Sequence, residues 1–154
     1  MSLKMKRQLA VVAAVAGVAM LCASMSIAGY GKVSKEGLSD DGAKLVGNWT
    51  GESICTGTRP ACHDEKVVYR ITKAPDAAGK VTIRMDKIVN GKPELMEAFD
   101  FQWDGEKGTL VNEFTRRTTH GRWEFTVKGN IIEGVLLILP AREIGRHVKV
   151  KKDE

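Results

Sequence analysis

From Leu45 onward the chain is a succession of short segments in which apolar and polar residues alternate, each closed by a turn rich in Gly, Asn or Asp. A period of two places every second side chain on one face of an extended strand, and an α-helix cannot satisfy it. This pattern therefore commits the segment to antiparallel β-structure. Eight strands are expected, over residues 46–55, 66–72, 80–89, 94–103, 109–116, 122–128, 131–139 and 144–151. Asn90-Gly91, "DGEKG" at 104–108, "THG" at 119–121 and Gly129-Asn130 are hairpin connections, and "APDAAG" at 74–79 is a slightly longer loop. The run "IIEGVLLILP" is apolar on both faces, which suits a covered strand or, alternatively, one turn of helix.

Successive hairpins without a helical crossover make a meander, and eight strands suffice for such a sheet to close on itself and remove its edges. The expected fold is all-β, an antiparallel up-and-down barrel, with a β-sandwich as the alternative. Taking the aromatic-rich parity as inward, the expected core is Val67, Tyr69, Ile71, Val81, Ile83, Met85, Leu95, Phe99, Phe101, Trp103, Leu110, Phe114, Trp123, Phe125, Val127, Ile144, Val148 and Val150.

The N-terminus has a different character. Lys4, Lys6 and Arg7 precede the apolar run from Leu9 to Leu21, which is shorter than the ~20 residues a spanning helix needs, and Ser26 and Ala28 supply small residues before a cut. Residues 1–28 read as a secretory signal peptide cleaved after Ala28; a lipoprotein reading with Cys22 acylated is disfavoured by the bulky Met20 and Leu21 before it. Export to the periplasm or the exterior of a bacterial cell is expected, with no stable membrane insertion after cleavage. Residues 29–44 carry few large apolar groups and read as a flexible arm closing with a short helical turn after Ser39, leaving 45–154 as one domain.

Removing the signal changes two arguments. The whole chain has 24 Lys and Arg against 19 Asp and Glu, but three of the positive charges leave with the signal, so the mature chain is only +2 and a nucleic-acid partner loses its electrostatic footing. Cys22 leaves as well, and the two remaining cysteines, Cys55 and Cys62, are expected to pair in an oxidising compartment. Closing so short a loop is worth roughly 2–3 kcal/mol on the chain-entropy account. The seven-residue separation fits neither a C-x-x-C redox pair nor a usual zinc ribbon, and His63, Asp64 and Glu65 read as polar turn residues, so no metal is expected.

At the head of the meander, "LVGNWTG" at 45–51 resembles the Gly-x-Trp start of the calycins, the group that includes lipocalins, avidins and fatty-acid-binding proteins. The resemblance implies a barrel in which Trp49, introduced by Gly47, packs at the closed end beneath a basic side chain of the last strand; strand parity nominates Arg146. Several small periplasmic inhibitors of proteases and lysozymes are also disulfide-stapled eight-strand barrels, so the resemblance speaks to fold more than to function.

Four polar residues share the inward parity: Glu97, Asn112, Arg116 and Arg146. An unpaired buried charge costs several kcal/mol, so either these residues neutralise one another, or a bulge turns one outward, or they orient a ligand in an otherwise apolar cavity. His63, His120 and His147 form no motif, and there is no nucleophile elbow, phosphate loop or His-Glu-x-x-His, so a non-catalytic protein without cofactor is expected. The "NWT" sequon at Asn48 is discounted because Trp49 tucks that strand into the core. The basic C-terminal "RHVKVKKDE" reads as a solvated strand or a weak anionic contact. Two functions remain: a barrel holding a small apolar or amphipathic ligand near the four polar residues, or a protein-binding module, such as a protease or lysozyme inhibitor, that uses the arm or the stapled loop.

Overall fold

A computed structural model describes residues 40–56, 61–75 and 77–154; residues 1–28, expected to be a signal peptide, residues 29–39 of the expected arm and residues 57–60 between the two cysteines lie outside them. Eight strands follow one short helix, α1 (Asp40–Ala43): β1 (Gly47–Cys55), β2 (Glu65–Lys73), β3 (Lys80–Val89), β4 (Lys92–Asp104), β5 (Thr109–Arg116), β6 (Thr119–Lys128), β7 (Ile131–Ile138) and β8 (Glu143–Lys152). Each pairs antiparallel with the next, and β8 returns to β1, closing a barrel in simple sequence order. Helix α1 falls where a turn after Ser39 is expected, and "IIEGVLLILP" is a strand, not helix. Leu137, on its outward face, is buried, as a strand apolar on both faces requires.

The turns follow their residues. Asn90 and Gly91 both have positive φ, at 51° and 76°, as a type I′ hairpin requires and as Asn and Gly tolerate best. In the β4–β5 turn, the Asp104 carboxylate accepts the Lys107 backbone N–H at 3.0 Å and the Lys107 ammonium at 2.8 Å. This holds the Asp104 carboxyl below the usual carboxylate range.

The inward faces of β1–β3 and β6–β8, with Phe101 and Leu110, build a continuous core in which Trp49, Tyr69, Phe101 and Phe125 are the largest buried side chains. Phe101 stacks on Phe125 at 5.4 Å between centroids, and Phe125 tilts against Tyr69 and Trp123. The closed-end half of the barrel is therefore filled. Burial of this apolar surface, at about 25 cal/mol per Å², is the main stabilising term.

Two expected core residues face outward, and a register shift explains each. Between Met85 and Asp86 the β3–β4 pairing skips Met96, so Met85 faces Glu97 while Asp86 faces Leu95. Leu95 is consequently 53% exposed, beside an Asp86 carboxylate that Arg70 and Arg84 neutralise on the outer face, and Met96 packs against the core instead. In β8 the shift skips Gly145, so Ile144 pairs with Leu137 and is 44% exposed while Arg146 keeps its inward parity. Each bulge adds one residue and flips the face of everything beyond it.

Candidate functional site

The antiparallel order gives the barrel two unlike ends. At one, β1 begins and β8 finishes, so Trp49 lies opposite Lys152. The Trp49 indole donates to Leu45 O at 2.8 Å, and the Lys152 ammonium sits 5.7 Å from the ring centroid while donating to Lys44 O at 2.6 Å. Gly47, at φ 136°, lies beneath the Lys152 stem. The basic side chain over Trp49 is thus Lys152, not Arg146. Arg146 pairs with Cys55, at the other end of the same strand.

That other end carries the β1–β2 loop and its Cys55–Cys62 disulfide. Arg146 ties it down. Its Nε donates to Ser53 Oγ at 2.7 Å, and its terminal nitrogens reach Ser53 O, His63 O at 2.7 Å, Glu65 Oε2 at 3.1 Å and, more distantly, Cys62 Sγ. The guanidinium is spent on its own scaffold. Tyr69 completes the cluster with a hydrogen bond to Ser53. Its phenol is pushed well above the ordinary tyrosine value, mainly by burial, against the opposing pull of Arg146.

Between this cluster and the far wall lies a cavity of about 170 Å³, lined by Ser53, Glu65, Tyr69, Met85, Met96, Glu97, Phe99, Phe114, Arg116, Trp123 and Arg146. The lining is mainly thioether and aromatic surface. Phe99 and Phe114 stack at 4.8 Å on one side, and Arg116 and Glu97 form an ion pair at the rim above them. The two rim pairs differ in exposure: Arg146 is 15% exposed and Arg116 63%. Among the described residues, Arg116 spends only Nη1 on Glu97, whereas Arg146 commits all three of its nitrogens.

Of the four residues nominated from parity, Glu97, Arg116 and Arg146 meet at this cavity and Asn112 does not line it. Asn112 Nδ2 donates to Asp100 O at 2.9 Å, bridging β5 to β4. The indole nitrogens of Trp103 and Trp123 and the Asn112 Oδ1 are buried without a hydrogen-bond partner among the described residues, a cost of roughly 1–3 kcal/mol each. Sequence reasoning missed Ser53 and Glu65, although Ser53 shares the parity of Trp49 and Gly51 along β1. Of the three histidines, His120 bonds Glu113 at 2.8 Å on the outside of β5–β6; with Arg122 it holds the Glu113 carboxyl below its usual range. Among the described residues, no group of three or more His, Cys, Asp or Glu is placed to hold a metal ion.

No family model matches this chain, and no curated protein is significantly similar to it.

Proposed function

We propose that this protein is an exported, non-catalytic binding barrel that holds a small apolar or amphipathic molecule at its open end. The observation that carries the reading is the cavity itself: an apolar-lined space left at one end of an otherwise filled barrel, with an ion pair at its rim. Its volume of about 170 Å³ is close to that of an engineered apolar cavity that takes benzene, about 150 Å³, and below the ~300–1,000 Å³ of sites for drug-sized ligands. The apolar part inside the barrel is thus about the size of one aromatic ring or a short alkyl chain. A polar end then lies beside Glu97 and Arg116, where Arg116 spends only Nη1 among the described residues.

The Gly47-x-Trp49 start and the Lys152 side chain over the indole support a calycin-like origin. The signal-like N-terminus and the disulfide support export to the periplasm or beyond. A second reading, protein binding through the stapled loop, is favoured by one observation: Arg146 braces that loop, and Ile54 and Ile144 are exposed beside it. Native mass spectrometry of protein isolated from its own host under mild conditions separates the two. A retained small molecule, released on unfolding, supports the ligand barrel; a stoichiometric protein partner with no small molecule refutes it in favour of the second reading.

A further inference from the structure

The barrel is closed unevenly. Every ladder but one joins seven or more residue pairs; β4 and β5 share only Gln102↔Val111, Trp103↔Leu110 and Asp104↔Thr109, next to their turn. Towards the open end the two strands are joined by side chains instead: the Asn112 amide on Asp100 O, the Phe99–Phe114 stack and the Arg116–Glu97 pair. A wall of rotamers parts without breaking a backbone ladder, and half-exposed side chains reorient far faster than strands separate.

This wall is thin. Phe114 and Arg116 line the inner cavity, and the same two side chains line an outer hollow of about 550 Å³ completed by Arg117, Thr118 and Thr119 at the β5–β6 turn. The hollow is lined by two arginines and two threonines and by no acidic residue. Arg117 makes no side-chain hydrogen bond or ion pair among the described residues. It also holds φ at 53°, a left-handed conformation that costs an L-residue roughly 1–2 kcal/mol where glycine would pass freely. The same left-handed backbone recurs at Asn90 and Arg142 in other hairpin turns, so the turn accounts for it; what points to a ligand is the unpartnered arginine lining the hollow beside the cavity.

We propose that the ligand spans this wall, with a short apolar chain in the inner cavity, crossing between β4 and β5, and an anionic head, carboxylate or phosphate, held in the outer hollow by Arg117 and Arg116. This rests on reading the open-end cavity as a ligand site, and adds the charge of the ligand and the place of its head. Arginine suits the role because its planar fork matches such oxygen groups.

The test is calorimetric titration of the oxidised protein with four probes sharing one chain: hexanoate, hexyl phosphate, 1-hexanol and hexylamine. At least one anionic probe is expected to bind about three- to tenfold more tightly than hexanol, with hexylamine weakest, a range suited to charge-assisted contacts at a solvent-exposed site. The stronger anion identifies the head. Arg117→Gly relieves the left-handed strain, so it folds; it is expected to keep hexanol affinity and a melting temperature no lower than the parent's while reducing the anion preference to under about twofold, as 1 M salt also does. Arg117→Lys is expected to retain part of the preference. Equal binding of hexanol and both anions, or an anion preference that survives Arg117→Gly, overturns the head-group site while leaving the cavity reading intact. Failure of all four probes to bind at millimolar concentration removes the cavity reading, and the head-group site with it.

Discussion

Arg146 and Arg116 stand on the same cavity with opposite commitments, and replacing each by methionine separates them. Methionine preserves length and apolar stem, so the change is confined to charge and hydrogen bonding. At Arg146 it leaves the buried Ser53 hydroxyl with Tyr69 alone, takes the guanidinium from the Ser53 and His63 carbonyls and the Glu65 carboxylate, and removes the tie between β8 and the stapled loop. Orphaned groups cost about 1–3 kcal/mol each when sealed from water, and breaking a buried pair about 3–5. With Arg146 15% and Glu65 22% exposed, water recovers part of this, leaving about 2–4 kcal/mol. For a domain of this size that lowers the melting temperature by about 8–16 °C. At Arg116, 63% exposed and bonded among the described residues only to Glu97, the loss stays under about 1 kcal/mol. Urea unfolding of the oxidised proteins, analysed with a common slope, gives both numbers. Equal losses for the two variants, or less than about 1 kcal/mol for Arg146→Met, would refute the division between a structural and an available arginine.

Other expectations follow from the same geometry. Trp49→Ala should cost about 3–5 kcal/mol by opening the filled closed end, measured by chemical denaturation; a cost under about 1 would mean that the ring does not hold that end together. Gly134→Ala places a Cβ 2.1 Å from Glu124 O and 2.4 Å from the Phe125 ring, so β6 and β7 must move apart, and a loss of about 2 kcal/mol or more is expected in the same assay. The Tyr69 phenol, raised in the fold above its unfolded value, contributes stability that is complete below about pH 10 and is lost as pH rises past it. Tyrosinate absorbance from Tyr69 should therefore appear only with unfolding, and a Tyr69 titration at the ordinary value in the folded protein would contradict its burial.

The barrel was legible because strand periodicity is local. Alternation marks each strand, Asn90-Gly91 and Gly129-Asn130 mark its ends, and the absence of crossovers fixes the order of the strands. The bulges at Met96 and Gly145 were not legible, because an inserted residue leaves good alternation on both sides and is revealed only by the partner strand. Leu95 and Ile144 were lost for that reason, while Glu97 and Arg146, beyond the bulges, kept their parity. The choice of Arg146 over Lys152 was a matter of level along the strand. Both share a face with Val148 and Val150, but antiparallel closure sets Trp49 against Lys152, the last residue of β8. Three of the four candidate residues came together because inward parity and proximity to the open end coincide for them. Asn112 shares the parity and lies two pairs deeper than Phe114, where its amide closes the seam.

The most direct test of the binding reading uses the three tryptophans as position markers, because each indole N–H gives its own cross-peak in a ¹⁵N-correlated NMR spectrum. Trp49 is at the closed end, Trp103 near the β4–β5 turn and Trp123 on the cavity wall. On titration with 1-hexanol, the Trp123 indole and the amides of Met85, Met96, Phe99 and Phe114 are expected to shift with one saturating curve while the Trp49 indole stays in place. An unmoved Trp123 signal at saturation of the probe's solubility, or equal shifts at all three indoles, would contradict a ligand site at the open end of the barrel.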